Sequence, residues 1–137
     1  MGRNGARVGA SYRVAPHVEV ELSFGYVRMV NYIQYPDKSS TSVGLTPGIG
    51  INYSSNDAPE SNAIASFLIA YQVGSKKIVY AHERRLALSV CIGADLQLSR
   101  DLVLRWRAGP CTHIILQPIR GETQFFMQYD GSLGWRL

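Results

Sequence analysis

Apolar and polar positions alternate with a period of two along most of this chain, the signature of strands with one apolar face. Val8, Ala10, Tyr12 and Val14 alternate with Arg7, Gly9, Ser11 and Arg13, and Val18, Val20, Leu22, Phe24 and Tyr26 follow in the same manner. Further runs carry Val43 to Tyr53, Ala65 to Val73, Leu86 to Leu98, Leu102 to Pro110 and Phe125 to Leu137 at alternate positions. Seven strands are predicted, and no stretch shows a helical stripe. The predicted class is all-β, as a single domain over residues 1–137.

Two of the connections are short enough to set a register. Pairing Val14 with Val18 across Ala15-Pro16-His17 puts Arg13 opposite Glu19. Pairing Leu98 with Leu102 across Ser99-Arg100-Asp101 puts Asp95 opposite Arg105. Opposite charges across a ladder are favourable, so pattern and charge select the same two hairpins. Residues 34–42, 54–62, 74–85 and 113–122 read as longer polar connections.

The non-apolar face decides what the apolar face touches. In a soluble sandwich or calyx the outer face meets water and carries lysine and glutamate freely. Here that face is mostly Gly, Ala, Ser, Thr, Asn and Gln, with a few charges able to pair. Such a face is enclosed, and the apolar face is then the outer one, as in a barrel embedded in lipid. Arg13, Glu19, Glu21, Asp95, Arg105 and Arg107 are expected to form an internal network. Tyr12, Tyr53 and Trp135 would lie near one rim and Tyr26 and Tyr71 near the other, like aromatic girdles.

The C-terminal strand, with Tyr129, Leu133, Trp135 and the terminal Leu137 on its apolar face, resembles the assembly signal of bacterial outer-membrane β-barrels. Tight turns alternating with longer loops are similar to the small eight-stranded members of that family. The resemblance implies an antiparallel up-and-down transmembrane barrel of 7–8 strands in the bacterial outer membrane, with membrane lipid around it and a surface ligand or partner protein met by the loops. Single-chain bacterial barrels have even strand numbers. The expectation is therefore an upward strand missing before the first, with the open edge closed by another chain or by self-association; the alternative is an eighth strand at residues 77–82.

Composition narrows the chemistry. The formal charge is +4, but lysine occurs only at Lys38, Lys76 and Lys77, and no basic patch interleaved with aromatics is present, so no nucleic-acid partner is expected. No run reaches the length of a membrane-spanning helix, and residues 1–10 lack the apolar core of a secretory signal. Two cysteines and three scattered histidines fall short of a four-ligand zinc site, and no cofactor is expected. Cys91 and Cys111 fall on the enclosed face as diagonal neighbours, and a disulfide between them needs a bulge near Pro110. His113, with His82 and Glu83 in the neighbouring loop, is the candidate acid/base group, weighed against plain solvated loop histidines. Lys76, Lys77, Arg84 and Arg85 could meet anionic head groups or simply face water. Two rivals to the membrane-embedded structural role stand beside it: a soluble barrel holding an apolar ligand, and a barrel enzyme acting on membrane lipid.

Overall fold

The computed structural model describes residues 2–31, 40–55, 61–75, 83–117 and 123–137. They form seven strands: β1 (Gly2–Ala15), β2 (Val18–Asn31), β3 (Ser40–Ser54), β4 (Ser61–Ser75), β5 (Glu83–Gln97), β6 (Leu102–Gln117) and β7 (Thr123–Arg136). Neighbours in sequence pair antiparallel, and β1 pairs with β7 to close the barrel. An odd number of alternating strands brings the first and last together running the same way. The β1–β7 seam is accordingly parallel.

This closure corrects two expectations. The barrel is mixed, with one parallel pair among antiparallel ones, and the edge is sealed within the chain rather than left open. The eighth strand considered at residues 77–82 lies outside the described residues. Several strands also run further than the hydrophobic alternation predicts: β5 begins at Glu83 and β6 ends at Gln117, inside segments read as loops. There the ladder is carried by backbone hydrogen bonds, which continue where side-chain polarity no longer alternates.

Both predicted cross-strand charge pairs are present, but in the first hairpin Val18 faces Ala15 across a two-residue turn rather than Val14 across three residues. Arg13 stands opposite Glu19, with a bulge between Arg13 and Ala15 at the Pro16-His17 turn. Asp95 stands opposite Arg105, and the turn after β5 is held by Leu98 and Ser99 N–H groups donating to the Leu102 carbonyl. The Gln97 side-chain amide caps the same turn by donating to the Arg100 carbonyl at 2.9 Å.

Two prolines sit within strands, where a missing N–H should cost a ladder bond. The β3–β4 pairing passes from Leu45–Val73 to Gly48–Ala70, leaving a gap that contains Pro47. The β5–β6 pairing passes from Ser89–Cys111 to Ile92–Ala108, leaving a gap that contains Pro110. The register is the same on both sides of each gap, so neither proline makes a bulge. Cys91 and Cys111 therefore remain diagonal, both are buried, and no disulfide joins them. Thiol alkylation is expected to reach them only on unfolding, with no mobility shift between oxidised and reduced protein on a denaturing gel. A disulfide formed under mild oxidation would contradict this register.

Pairing traced around the barrel from Ala10 runs through Leu22, Ile49, Ile69, Leu88 and Thr112 to Phe125, two residues before Met127, the partner of Gly2. The stagger is about ten residues, which for seven strands means a tilt of roughly 45°. Two kinds of surface result. Leu22, Ile92, Trp106, Phe125 and many others project outward, Ile92 with 74% of its surface exposed. The inward side chains are buried almost completely.

Candidate functional site: the charged barrel interior

The inward faces of β1, β2, β5, β6 and β7 carry the charged residues, and apart from Arg85 the tilt and stagger gather them toward the half of the barrel nearer the tight turns. Arg105 is the hub. Its Nε and Nη2 donate to the two carboxylate oxygens of Asp95, both at 2.6 Å, a planar fork that lysine could not reproduce. Its remaining N–H groups reach Glu21 and, at 3.0 Å, Glu19 on β2 across the barrel.

Arg107, one inward position further along β6, continues the network. It donates to Glu21 at 3.1 and 3.2 Å and to Asp130 at 3.0 Å. Asn52 donates to Glu21 at 2.9 Å and accepts from Ser66 at 2.6 Å, tying β3 and β4 to the same carboxylate. Arg136, near the end of β7, donates to Glu19 at 2.7 Å, to Asp95 at 3.0 Å and to Gln97 at 2.7 Å. Arg7 on β1 pairs with Asp130 on β7 at 3.2 Å across the parallel seam. Arg7, Arg105, Arg107 and Arg136 thus face Glu19, Glu21, Asp95 and Asp130, and the cluster balances charge for charge. Such balance is what burial requires, because an uncompensated charge in a low-dielectric interior is strongly unfavourable.

All six network residues named from sequence meet here, with different weights. Glu19, Glu21, Asp95, Arg105 and Arg107 are buried, whereas the Arg13 side chain is 48% exposed and meets Glu19 only at 3.6 Å. Arg13 is a rim residue. Arg7, Asp130, Arg136 and Asn52 were not anticipated, although each falls on the polar side of the alternation. The closure of β1 on β7, which no local pattern announces, brings Arg7 to Asp130 and Arg136 to Glu19, whereas Asn52 joins from β3 through the neighbouring strands.

Room for these long side chains comes from glycine. A Cβ on Gly25 would run into the Ala6 carbonyl and lie 2.6 Å from Cγ of Arg7, and one on Gly48 would lie 2.8 Å from the Arg7 guanidinium. Gly25→Ala is expected to destabilise the barrel by about 1–3 kcal/mol through overpacking. Gly131→Ala, where a Cβ meets nothing within 4 Å, should be close to neutral. Urea titration followed by tryptophan fluorescence compares the two.

The other half of the interior mixes apolar side chains, among them Val27, Leu68, Ala70, Ala87 and Phe126, with buried polar ones such as Thr46, Gln72 and Gln128. His113 belongs here. It is wholly buried, with its ring 4.5 Å from that of Phe126, which corrects the solvated position expected for it. β6 continues past it to Gln117, so its inward parity on the strand, rather than its nearness to a loop, sets its surroundings. His82 lies outside the described residues, as do Lys76 and Lys77, and the Glu83 side chain is likewise outside them. Arg84 faces outward and exposed, while Arg85 is buried and donates to Gln124 at 2.9 Å. An interior void of about 10 Å³ beside Gly9, Ser11, Ser132 and Gly134 has room for about one water molecule.

Comparison with known protein families, with characterised proteins and with solved structures gave no match.

Proposed function

We propose that this chain is a transmembrane β-barrel of the bacterial outer-membrane type, acting as a membrane-embedded structural or surface-interaction protein. The observation that carries the reading is the inversion of the two faces. Large apolar side chains project outward from all seven strands, and the interior holds a cluster of four arginines paired with four carboxylates. In water this arrangement would expose an apolar patch far beyond that of ordinary soluble monomers, while burying the groups that water solvates best. In lipid both faces are satisfied.

Dimensions agree. The outward row on β5 from Leu86 to Leu98 covers about 40 Å along the strand at about 3.3 Å per residue. At a tilt of roughly 45° that is about 28 Å of height, close to the apolar band of barrels that span bilayers. Tyr12, Tyr53 and Trp135 sit toward the tight-turn rim and Tyr26 toward the other, all exposed, where aromatic rings favour the lipid–water boundary. The loop rim is the proposed contact surface for a ligand or partner.

A soluble barrel with an apolar ligand inside is disfavoured by an interior filled with ion pairs, and a lipid-modifying enzyme by the burial of His113 against Phe126. Purification decides the matter most directly. The chain should be monodisperse only with detergent or lipid and should float with phospholipid vesicles; a monodisperse monomer in plain buffer would overturn the membrane reading.

A further inference from the structure

We infer that the barrel has a built site for one resident water molecule, held by the buried hydroxyls of Ser11 and Ser132 between Glu21 and Arg105. The site is internal, so the inference is independent of whether lipid or water surrounds the barrel.

Space for it follows from the sequence. Gly9 on β1 faces Gly134 on β7, and each lies on the inward side of its strand, next to Ser11 and Ser132 respectively on that side. Two inward glycines in register leave that stretch of the wall without side chains. The void of about 10 Å³ lies beside them. That volume admits about one water-sized sphere and excludes any larger ligand.

Polar groups lacking a full set of partners line it. Ser11 is 6% exposed and Ser132 5%, and neither hydroxyl has a hydrogen bond among the described residues. A buried hydroxyl without a partner forfeits the bond it makes to solvent in the unfolded chain, and native interiors rarely leave one so. Arg105 also lines the void. Four of its five N–H groups donate to Asp95, Glu19 and Glu21, which leaves one on Nη1. Glu21 Oε2 accepts from Asn52, Arg105 and Arg107, whereas Oε1 accepts from Arg107 alone and keeps acceptor capacity.

Charge then selects the occupant. A cation in this void would lie against Arg105 and an anion against Glu21, while an apolar atom would leave both hydroxyls unpaired. A neutral molecule of one heavy atom that both donates and accepts satisfies every neighbour, and water is that molecule. Bound there, it ties Ser11 of β1 and Ser132 of β7 to the Glu21–Arg105 pair, a second inner link beside Arg7–Asp130.

Gly134 offers a clean way to displace it. A Cβ there would meet the Gly9 carbonyl oxygen at 3.7 Å, an ordinary contact, so alanine fits and its methyl enters the void. Gly9 offers no such route, because a Cβ there would lie 2.6 Å from the Leu22 carbonyl oxygen.

Crystal structures of the full chain and of Gly134→Ala read the site directly. One solvent oxygen within about 3.2 Å of both serine Oγ atoms is expected in the first and none in the second. Urea unfolding gives an independent reading. In the parent chain Gly134→Ala should lower the folded-to-unfolded ratio about fivefold or more, since the methyl displaces an ordered water and cannot replace its hydrogen bonds. In the Ser11→Ala/Ser132→Ala background the same methyl should raise the ratio about twofold or more, the usual advantage of alanine over glycine within a strand. A parent structure with no solvent atom on the two hydroxyls would overturn the inference. So would a Gly134→Ala effect of the same sign in both backgrounds, a gain marking a dry void and a loss marking overpacking.

Discussion

Replacing Arg105 by leucine is expected to remove about 3–5 kcal/mol of stability, enough to prevent a marginal barrel from accumulating. The argument does not rest on the ion pairs being strongly stabilising in themselves. A buried pair gains Coulombic energy and loses hydration in comparable amounts, and exchanging the whole cluster for well-packed apolar residues could be close to neutral. Removing Arg105 alone strips Asp95 of both hydrogen bonds from the guanidinium fork and takes a cation from Glu19 and Glu21. Arg136 remains near Asp95 and Arg107 near Glu21, but four carboxylates then share three buried cations. Arg13→Leu, at a half-exposed rim position, should cost no more than about 1 kcal/mol. Urea unfolding of both variants in the same detergent or vesicle gives the comparison. A loss below about 1 kcal/mol for Arg105→Leu would mean that the carboxylates are hydrated and the interior is open to water.

Ile92→Arg tests the other face, and its outcome depends on what surrounds the barrel. Ile92 is 74% exposed midway along the outward row of β5, so in water an arginine there should shift stability by no more than about 0.5 kcal/mol. In a bilayer the same substitution near the midplane should cost about 2–4 kcal/mol, whereas Leu98→Arg, at the tight-turn rim, should cost about 0–1 kcal/mol. The gradient between the two positions is the diagnostic quantity. Equal small effects at both, in phospholipid vesicles, would remove the bilayer from the account.

Much of this architecture is legible in the sequence because a strand's side chains obey a period of two whether the chain lies in water or lipid. The seven alternating runs, the two tight hairpins and the inward position of Glu21, Asp95, Arg105 and Arg107 all follow from that parity and from charge pairing across adjacent strands. The β1–β7 contact does not. It joins residues more than a hundred positions apart, and its parallel sense follows from the strand count rather than from any turn. Arg7 with Asp130 and Arg136 with Glu19 inherit that illegibility, since their partners are chosen by closure and stagger. His113 shows a different limit. Its polarity and its neighbouring loop suggested solvent, and only the continuation of β6 to Gln117 reveals an inward, packed ring.

The odd strand count also fixes the geography of the chain's ends. β1 starts at the loop rim and β7 finishes at the tight-turn rim, so Gly2 and Arg136 stand at opposite openings of the barrel. If the barrel crosses a bilayer, a tag fused before β1 and another fused after β7 would report from two different compartments, and a protease added to one side would remove only one of them. Rejoining the ends to make a circular permutant would need a connector as long as the barrel is tall, which amounts to an eighth strand.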